Sequence, residues 1–206
     1  LAGAVVALET PGRPRRHALP ERLVGYSAAM EVRLLGPVEV ATPTPVALGG
    51  PRQRAVLAML ALAAPDVVST DRLIDGIWGE SPPAKPLATL QVFIHNLRKA
   101  CASVGAPDAI QRRAPGYRLG LDPSAIDVAR FEAHVAVARR AATAQPETAY
   151  RELTDALDLW RGPALADLRE LPFVDAECVR LDESHLTAVE DRIDLALVRV
   201  PGSGGL

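Results

Sequence analysis

Residues 87–121 constrain this chain more than any other stretch. Their spacing predicts a helix in which Leu90, Ile94, Leu97 and Cys101 recur at steps of four, three and four, a single narrow apolar stripe at about 100° per residue. Opposite the stripe fall Ala88, Val92, His95, Asn96 and Lys99, with Gln91 and Arg98 on one flank. That face carries small, amide and cationic side chains and no carboxylate, so it can lie against a polyanion. After a short polar break, a hairpin is expected around Pro115-Gly116. The pair suits the centre of a type II turn, where proline presets the first φ and glycine supplies a positive second φ. Arg112 and Arg113 enter the hairpin and Arg118 leaves it, so three permanently charged planar forks sit on one ribbon, suited to phosphate oxygens or a narrow minor groove. Taken alone, the helix could equally be a solvated face whose cations satisfy its own dipole.

The elements before it favour the first reading. The runs 32–35 and 38–40 flank Gly36-Pro37, and 46–48 follows a proline-rich turn; together they predict a small antiparallel sheet. Gly49-Gly50-Pro51 opens a helix to about Ala64, with Ala55, Val56, Met59, Leu60 and Ala63 on its buried side. Ser69 is an N-cap candidate for a short second helix, and Gly79 is its stop. Ser81-Pro82-Pro83 then forces a loop, and the recognition helix begins near Pro86. The order sheet, helix, helix, loop, helix, hairpin is that of a winged helix-turn-helix.

Past Asp122-Pro123 only helices are expected. Asp127 can cap one carrying Val128, Phe131, Val135 and Ala138; Tyr150, Leu153, Leu157 and Trp160 mark a second; Leu186, Val189, Ile193, Leu197 and Val200 mark a third. Antiparallel helical pairs of about 34 residues suggest tetratricopeptide-like stacking, and a third helix without its partner predicts an exposed apolar strip. The fold class expected is therefore an α+β N-terminal winged helix with a small antiparallel sheet, followed by an all-α domain. Residues 30–122 would form the first, 123–200 the second and 201–206 a tail. Residues 1–29 mix an apolar run with prolines and the cluster Arg13, Arg15, Arg16, and are read as a disordered extension: either sequence upstream of Met30 or a basic arm that touches DNA.

Charge separates the halves. The formal net charge of −2 resolves into +2 for residues 1–29, +2 for 30–122 and −6 for 123–206, so DNA affinity must come from local clustering or dimerisation. Cys101 and Cys178 have neither zinc-site nor disulfide spacing and are expected as buried thiols, as in a cytosol. No run reaches the roughly 18–20 apolar residues of a membrane span, and the N-terminus lacks the basic region of a signal peptide. The four histidines are scattered, and no phosphate-binding glycine loop or nucleophile elbow occurs, so neither an enzyme nor a bound cofactor or metal is expected.

The runs 33–40, 50–57, 71–80, Thr89-Leu-Gln, Ala114-Pro-Gly-Tyr, Phe131-Glu and 159–165 in this order resemble the SARP family of bacterial antibiotic-biosynthesis regulators, over about residues 31–200. In that family an OmpR-like winged helix, the effector type of phosphorelay regulators, precedes a bacterial transcriptional activation domain. The resemblance implies a cytoplasmic, nucleoid-associated protein that binds promoter direct repeats as two protomers and recruits RNA polymerase, with the loop from Trp78 to Pro86 facing the polymerase. It also implies further helices than this chain carries, so the helical domain is expected to be truncated. On this reading Gln91, His95 and Asn96 approach base edges and Val92 a thymine methyl, while Thr89, Arg98 and Lys99 hold phosphates. Arg112, Arg113 and Arg118 would grip the adjacent minor groove or its backbone. The rival reading is a helical-repeat adaptor whose winged helix serves only as a protein-interaction scaffold.

Overall fold

The computed structural model describes residues 30–42 and 46–199; the expectations for residues 1–29, Val200 and 201–206 fall outside the described residues. β1 (Glu31–Arg33) and β2 (Glu39–Ala41) pair antiparallel with Val32 opposite Val40. Residues 46–48 form no third strand. The carbonyl of the buried Leu48 instead accepts a hydrogen bond from the Gln53 side chain at 2.8 Å, so that backbone group is satisfied outside any ladder.

Proline in the first turn of α1 (Pro51–Leu62) loses no hydrogen bond the helix would have made. This helix is buried on all sides from Ala55 to Ala61, which is why its sequence carries no alternation of polar and apolar positions. Two residues, Val68–Ser69, make β3, too short to leave a period in the sequence. The Ser69 hydroxyl accepts from the Arg72 N–H and so caps α2 (Thr70–Trp78), which Gly79 ends at φ 54°. Next comes α3 (Pro86–Ala102), whose buried residues are Leu90, Ile94, Leu97 and Cys101, the stripe expected from the spacing. Trp78 stacks on Phe93 at 6.0 Å and locks α2 to α3.

The wing is built from β4 (Ile110–Arg113) and β5 (Gly116–Leu119), with β3 on the far side of β5. Its turn corrects the expectation. The central pair is Ala114-Pro115 with a cis peptide, as in a type VI turn, and Gly116 has no positive φ. Gly116 is glycine for another reason: it opposes Ser69, and a Cβ there would meet the Val68 carbonyl oxygen at 1.9 Å.

A short 3-10 turn, Pro123–Ala125, leads into α4 (Asp127–Ala141), α5 (Pro146–Leu157) and α6 (Val174–Arg199). Val128, Phe131, Val135 and Ala138 are buried on α4 as their spacing indicated. On α5 the buried line is Ala149, Leu153 and Ala156, because small residues let the helix approach α4 closely, and Trp160 lies beyond the helix end. On α6 the expected apolar strip is exposed, and a second apolar face docks. Val174, Cys178, Leu181 and Ala188 are buried, whereas Leu186, Ile193 and Leu197 are exposed together with Val179. This helix has two apolar faces, and only one docks.

The two halves share one hydrophobic core. Asp127 is the hinge of that union. It is the first residue of α4 and not its cap, it is 1 % exposed, and its carboxylate accepts from the backbone N–H groups of Leu34, Leu35 and Val128 at 2.8–2.9 Å. Burial pushes this carboxyl upward from the usual range, while the N–H donors and the Arg161 guanidinium at 3.8 Å oppose the shift. Around it, Arg161 N–H donates to the Leu35 carbonyl, Leu165 N–H to the Leu34 carbonyl, and Val38 N–H to Asp167. Arg130 pairs with Glu31, and Arg54 of α1 pairs with Asp167 at 2.6 Å. The β1–β2 hairpin is thus the piece through which winged helix and helical segment hold each other.

Candidate nucleic-acid interface

The buried stripe of α3 fixes which side chains face outward, since neighbours on a helix face recur every three to four residues. Ala88, Val92, His95 and Lys99 form the outermost ridge and are all exposed, Val92 at 56 %. Gln91 and Asn96 lie exposed on opposite flanks of that ridge, while Thr89 is half-buried and donates its hydroxyl to the Lys85 carbonyl at 3.1 Å. Among the described residues, nothing from the helical segment buries the ridge.

The flank bearing Arg98 turns toward the wing. Its Nε donates to the Ile110 carbonyl at 2.9 Å and its guanidinium stands 6.0 Å from the Tyr117 ring, so Arg98 joins α3 to β4. Arg112 lies on the same face of the ribbon as Tyr117, its cross-strand partner, donating to the phenol oxygen at 3.1 Å with its guanidinium 5.5 Å from the ring. Arg113 reaches back to the Arg112 carbonyl. Arg98, Arg112 and Arg113 line one cleft of about 550 Å³ between the end of α3 and the wing, with Gln111 and Asp108 on its edge. Arg118 stands apart. It pairs across the ribbon with Gln111, which accepts from both its Nε and Nη2, on the face away from Tyr117. The three wing arginines therefore do not share a surface, because side chains alternate along a strand and positions 112 and 118 fall on opposite faces.

Ion pairing separates this region from the junction of the two halves and from the α4–α6 seam. Arg33, Arg54, Arg130, Arg161 and Arg180 each sit within ion-pair distance of a carboxylate. Among the described residues no carboxylate comes that close to Arg98, Lys99, Arg112, Arg113 or Arg118, and the hydrogen-bonded partners of the four arginines are carbonyls, an amide and a phenol. The four arginines of the α3–wing side are held in place without being neutralised, which is what a surface for phosphate requires.

Two residues contribute that the sequence reading did not single out. Tyr117 organises the arginines from its 3 % exposed ring. Gln53 is 8 % exposed on α1 and accepts from the Asn96 amide at 3.2 Å. A signal for the burial of Gln53 is its spacing: it falls three and four residues before Val56 and Leu57, on a side of α1 that is buried. The loop between α2 and α3 is exposed from Glu80 to Lys85, and its first residue, Gly79, faces Pro172 of the helical segment.

Comparison with known proteins fits these two halves. The model of the transcriptional regulatory protein C-terminal family matches residues 44–119, and that of the bacterial transcriptional activator domain matches residues 126–199. Regulatory protein DnrI of Streptomyces peucetius is 36% identical over 187 residues, which cover 84% of this chain and 68% of DnrI. The chain belongs to the SARP family of transcriptional regulators. Transcriptional regulatory protein EmbR of Mycobacterium tuberculosis is 39% identical over 170 residues, 79% of this chain and 44% of EmbR. MoaR1 of the same organism is 39% identical over 165 residues, 78% of this chain and 53% of MoaR1. The solved structure of M. tuberculosis EmbR in complex with a low-affinity phosphopeptide superposes with a TM-score of 0.78 at 37% identity, covering 82% of this chain and 45% of that one. This SARP-type chain thus spans about half the length of EmbR and MoaR1. Its described helices include none long and apolar enough to cross a membrane.

Proposed function

We propose that this chain activates transcription by binding promoter DNA through the α3–wing side, with α3 in the major groove. Gln91, His95 and Asn96 meet base edges, Val92 a thymine methyl, and Thr89 and Lys99 the phosphates. Arg98, Arg112 and Arg113 hold the backbone flanking the groove from their common cleft, and Arg118 meets the adjacent strand from the outer face of the wing. The observation that carries this reading is the set of ordered, unneutralised cations beside an exposed amide-bearing ridge. Domains divided near residues 122 and 123, with the β1–β2 hairpin serving both, would let the helical segment report to RNA polymerase beside the 78–86 loop. Two protomers on a direct repeat, in the cytoplasm, and a secondary-metabolite cluster as target complete the proposal. Membership of the SARP family supports the last point.

The roles of individual side chains separate by the kind of loss they cause. A bidentate base contact gives about 1–3 kcal/mol of discrimination, and a phosphate contact gives affinity without sequence preference. Asn96→Ala is therefore expected to relax selectivity at one base pair of a duplex selected by the parent chain. Lys99→Ala should weaken binding to every duplex alike and reduce the slope of log K against log salt by about one unit. Fluorescence anisotropy across a salt series measures both. Equal losses on selected and random DNA for Asn96→Ala would remove that side chain from base readout.

A helical-repeat adaptor is the second reading, and the exposed Val179, Leu186, Ile193 and Leu197 on α6 speak for a protein partner there. Reversing the wing charges separates the two.

A further inference from the structure

Resting on the DNA reading above, we infer that the buried Gln53 is a positioning residue for base recognition, setting which hydrogen-bonding group Asn96 presents to the DNA. Gln53 belongs to α1, does not face the groove, and is 8 % exposed. Its amide is oriented by the Leu48 carbonyl, which accepts from Nε2 at 2.8 Å and is itself part of a buried residue. With Nε2 engaged there, Oε1 points the other way. It accepts from Nδ2 of Asn96 at 3.2 Å.

The two bonds form a chain with one polarity. A carbonyl anchors a donor, the same amide offers an acceptor, and that acceptor draws the NH₂ end of Asn96 inward. What remains outward on Asn96 is Oδ1 and the second N–H. That combination is the bidentate complement of adenine, whose N6 amino group donates and whose N7 accepts. A flipped Asn96 would point its carbonyl at Oε1, an acceptor against an acceptor, so the buried glutamine disfavours the orientation with both N–H groups outward. Gly49 closes the arrangement: it holds φ +79°, and a Cβ there would come within 2.7 Å of Gln53 Nε2. The backbone before α1 is shaped to let the glutamine sit where it does.

The consequence is a base preference that depends on a residue out of reach of DNA. Asn96 should favour adenine at its position because one of its N–H groups is already spent on α1. Without Gln53 the side chain can rotate, and its discrimination should fall about tenfold while neighbouring positions keep theirs.

The test is selection of a randomised duplex pool by the 206-residue chain, followed by sequencing, repeated with Asn96→Ala, Gln53→Met and the double variant. Methionine keeps the length and the packing of the buried arm and removes both hydrogen bonds. Preferences are ratios within one protein preparation, so a partly unfolded variant lowers recovery without altering them. The expected result is an adenine preference in the parent that Asn96→Ala and Gln53→Met flatten at the same position, the double variant adding nothing further. If Asn96→Ala flattens a position that Gln53→Met leaves intact, the positioning role is overturned and Asn96 keeps its place in the readout. If Asn96→Ala changes no position, the assignment of Asn96 to base contact fails and the inference falls with it.

Discussion

Asp127→Ala is expected to destabilise the chain by about 3–5 kcal/mol, enough to lower its melting temperature by roughly 10 °C. The carboxylate is 1 % exposed and is the acceptor for the Leu34, Leu35 and Val128 N–H groups. Removing it leaves those donors without partners in a site closed to bulk water, which costs more than the bonds themselves contributed. It also frees the turn between β1 and β2 from α4, so the loss falls on the junction of the two halves. Asp127→Asn keeps the shape and one acceptor oxygen and should lose less. Urea denaturation followed by circular dichroism measures both variants, and a loss below about 1 kcal/mol for the alanine would show that the hairpin is held by packing alone.

The second large effect concerns the wing. Arg112→Glu with Arg113→Glu replaces two unneutralised cations lining the α3–wing cleft by two anions. Affinity should drop on the order of a hundredfold for selected and random duplexes alike, and the salt slope should flatten by roughly two units, since each lost phosphate contact removes about 0.9. Both positions are exposed, so the thermal melt should change little. An adaptor would keep its partner and its regulatory activity after this change. Anisotropy at several salt concentrations, beside a promoter-driven reporter, reads the two quantities together; a double variant that binds DNA as the parent does would return the function to the adaptor reading.

What the sequence made legible follows from where each constraint acts. The stripe Leu90, Ile94, Leu97, Cys101 could be read because α3 is buried on one side only, and its outward ridge followed by geometry. On α6 the exposed strip of Leu186, Ile193 and Leu197 is legible, but the docked face of Val174, Cys178, Leu181 and Ala188 is not, because apolar residues satisfy the helical period on two faces and choosing the docked one requires knowing where α4 and α5 lie. Pro115-Gly116 has the residues of a type II turn, and nothing in the residue types announces that Ala114-Pro115 is cis or that Gly116 must pass under the Val68 carbonyl. Asp127 looks like a helix cap because capping is local, whereas its partners Leu34 and Leu35 stand more than 90 positions away.

The binding side shows the same division. Counting cations in the sequence finds Arg54 and Arg98 alike, but pairing decides their roles: Arg54 is given to Asp167, and Arg98 is fixed by a carbonyl and left positive. Arg118 lies close to Arg112 in the chain, yet strand alternation sends them to opposite faces. Gln53 acts through one side-chain hydrogen bond between elements 43 positions apart, a relation no local pattern contains.

Site-specific photocrosslinking tests the α3–wing assignment most directly. p-Benzoylphenylalanine placed at His95, on the outward ridge of α3, and separately at Leu186, on the exposed face of α6, is irradiated with duplex recovered by the parent chain. Covalent attachment to DNA from position 95 and none from position 186 is the result expected. Crosslinks from 186 with none from 95 would mean that nucleic acid lies against the helical segment, and the recognition surface described above would be wrong.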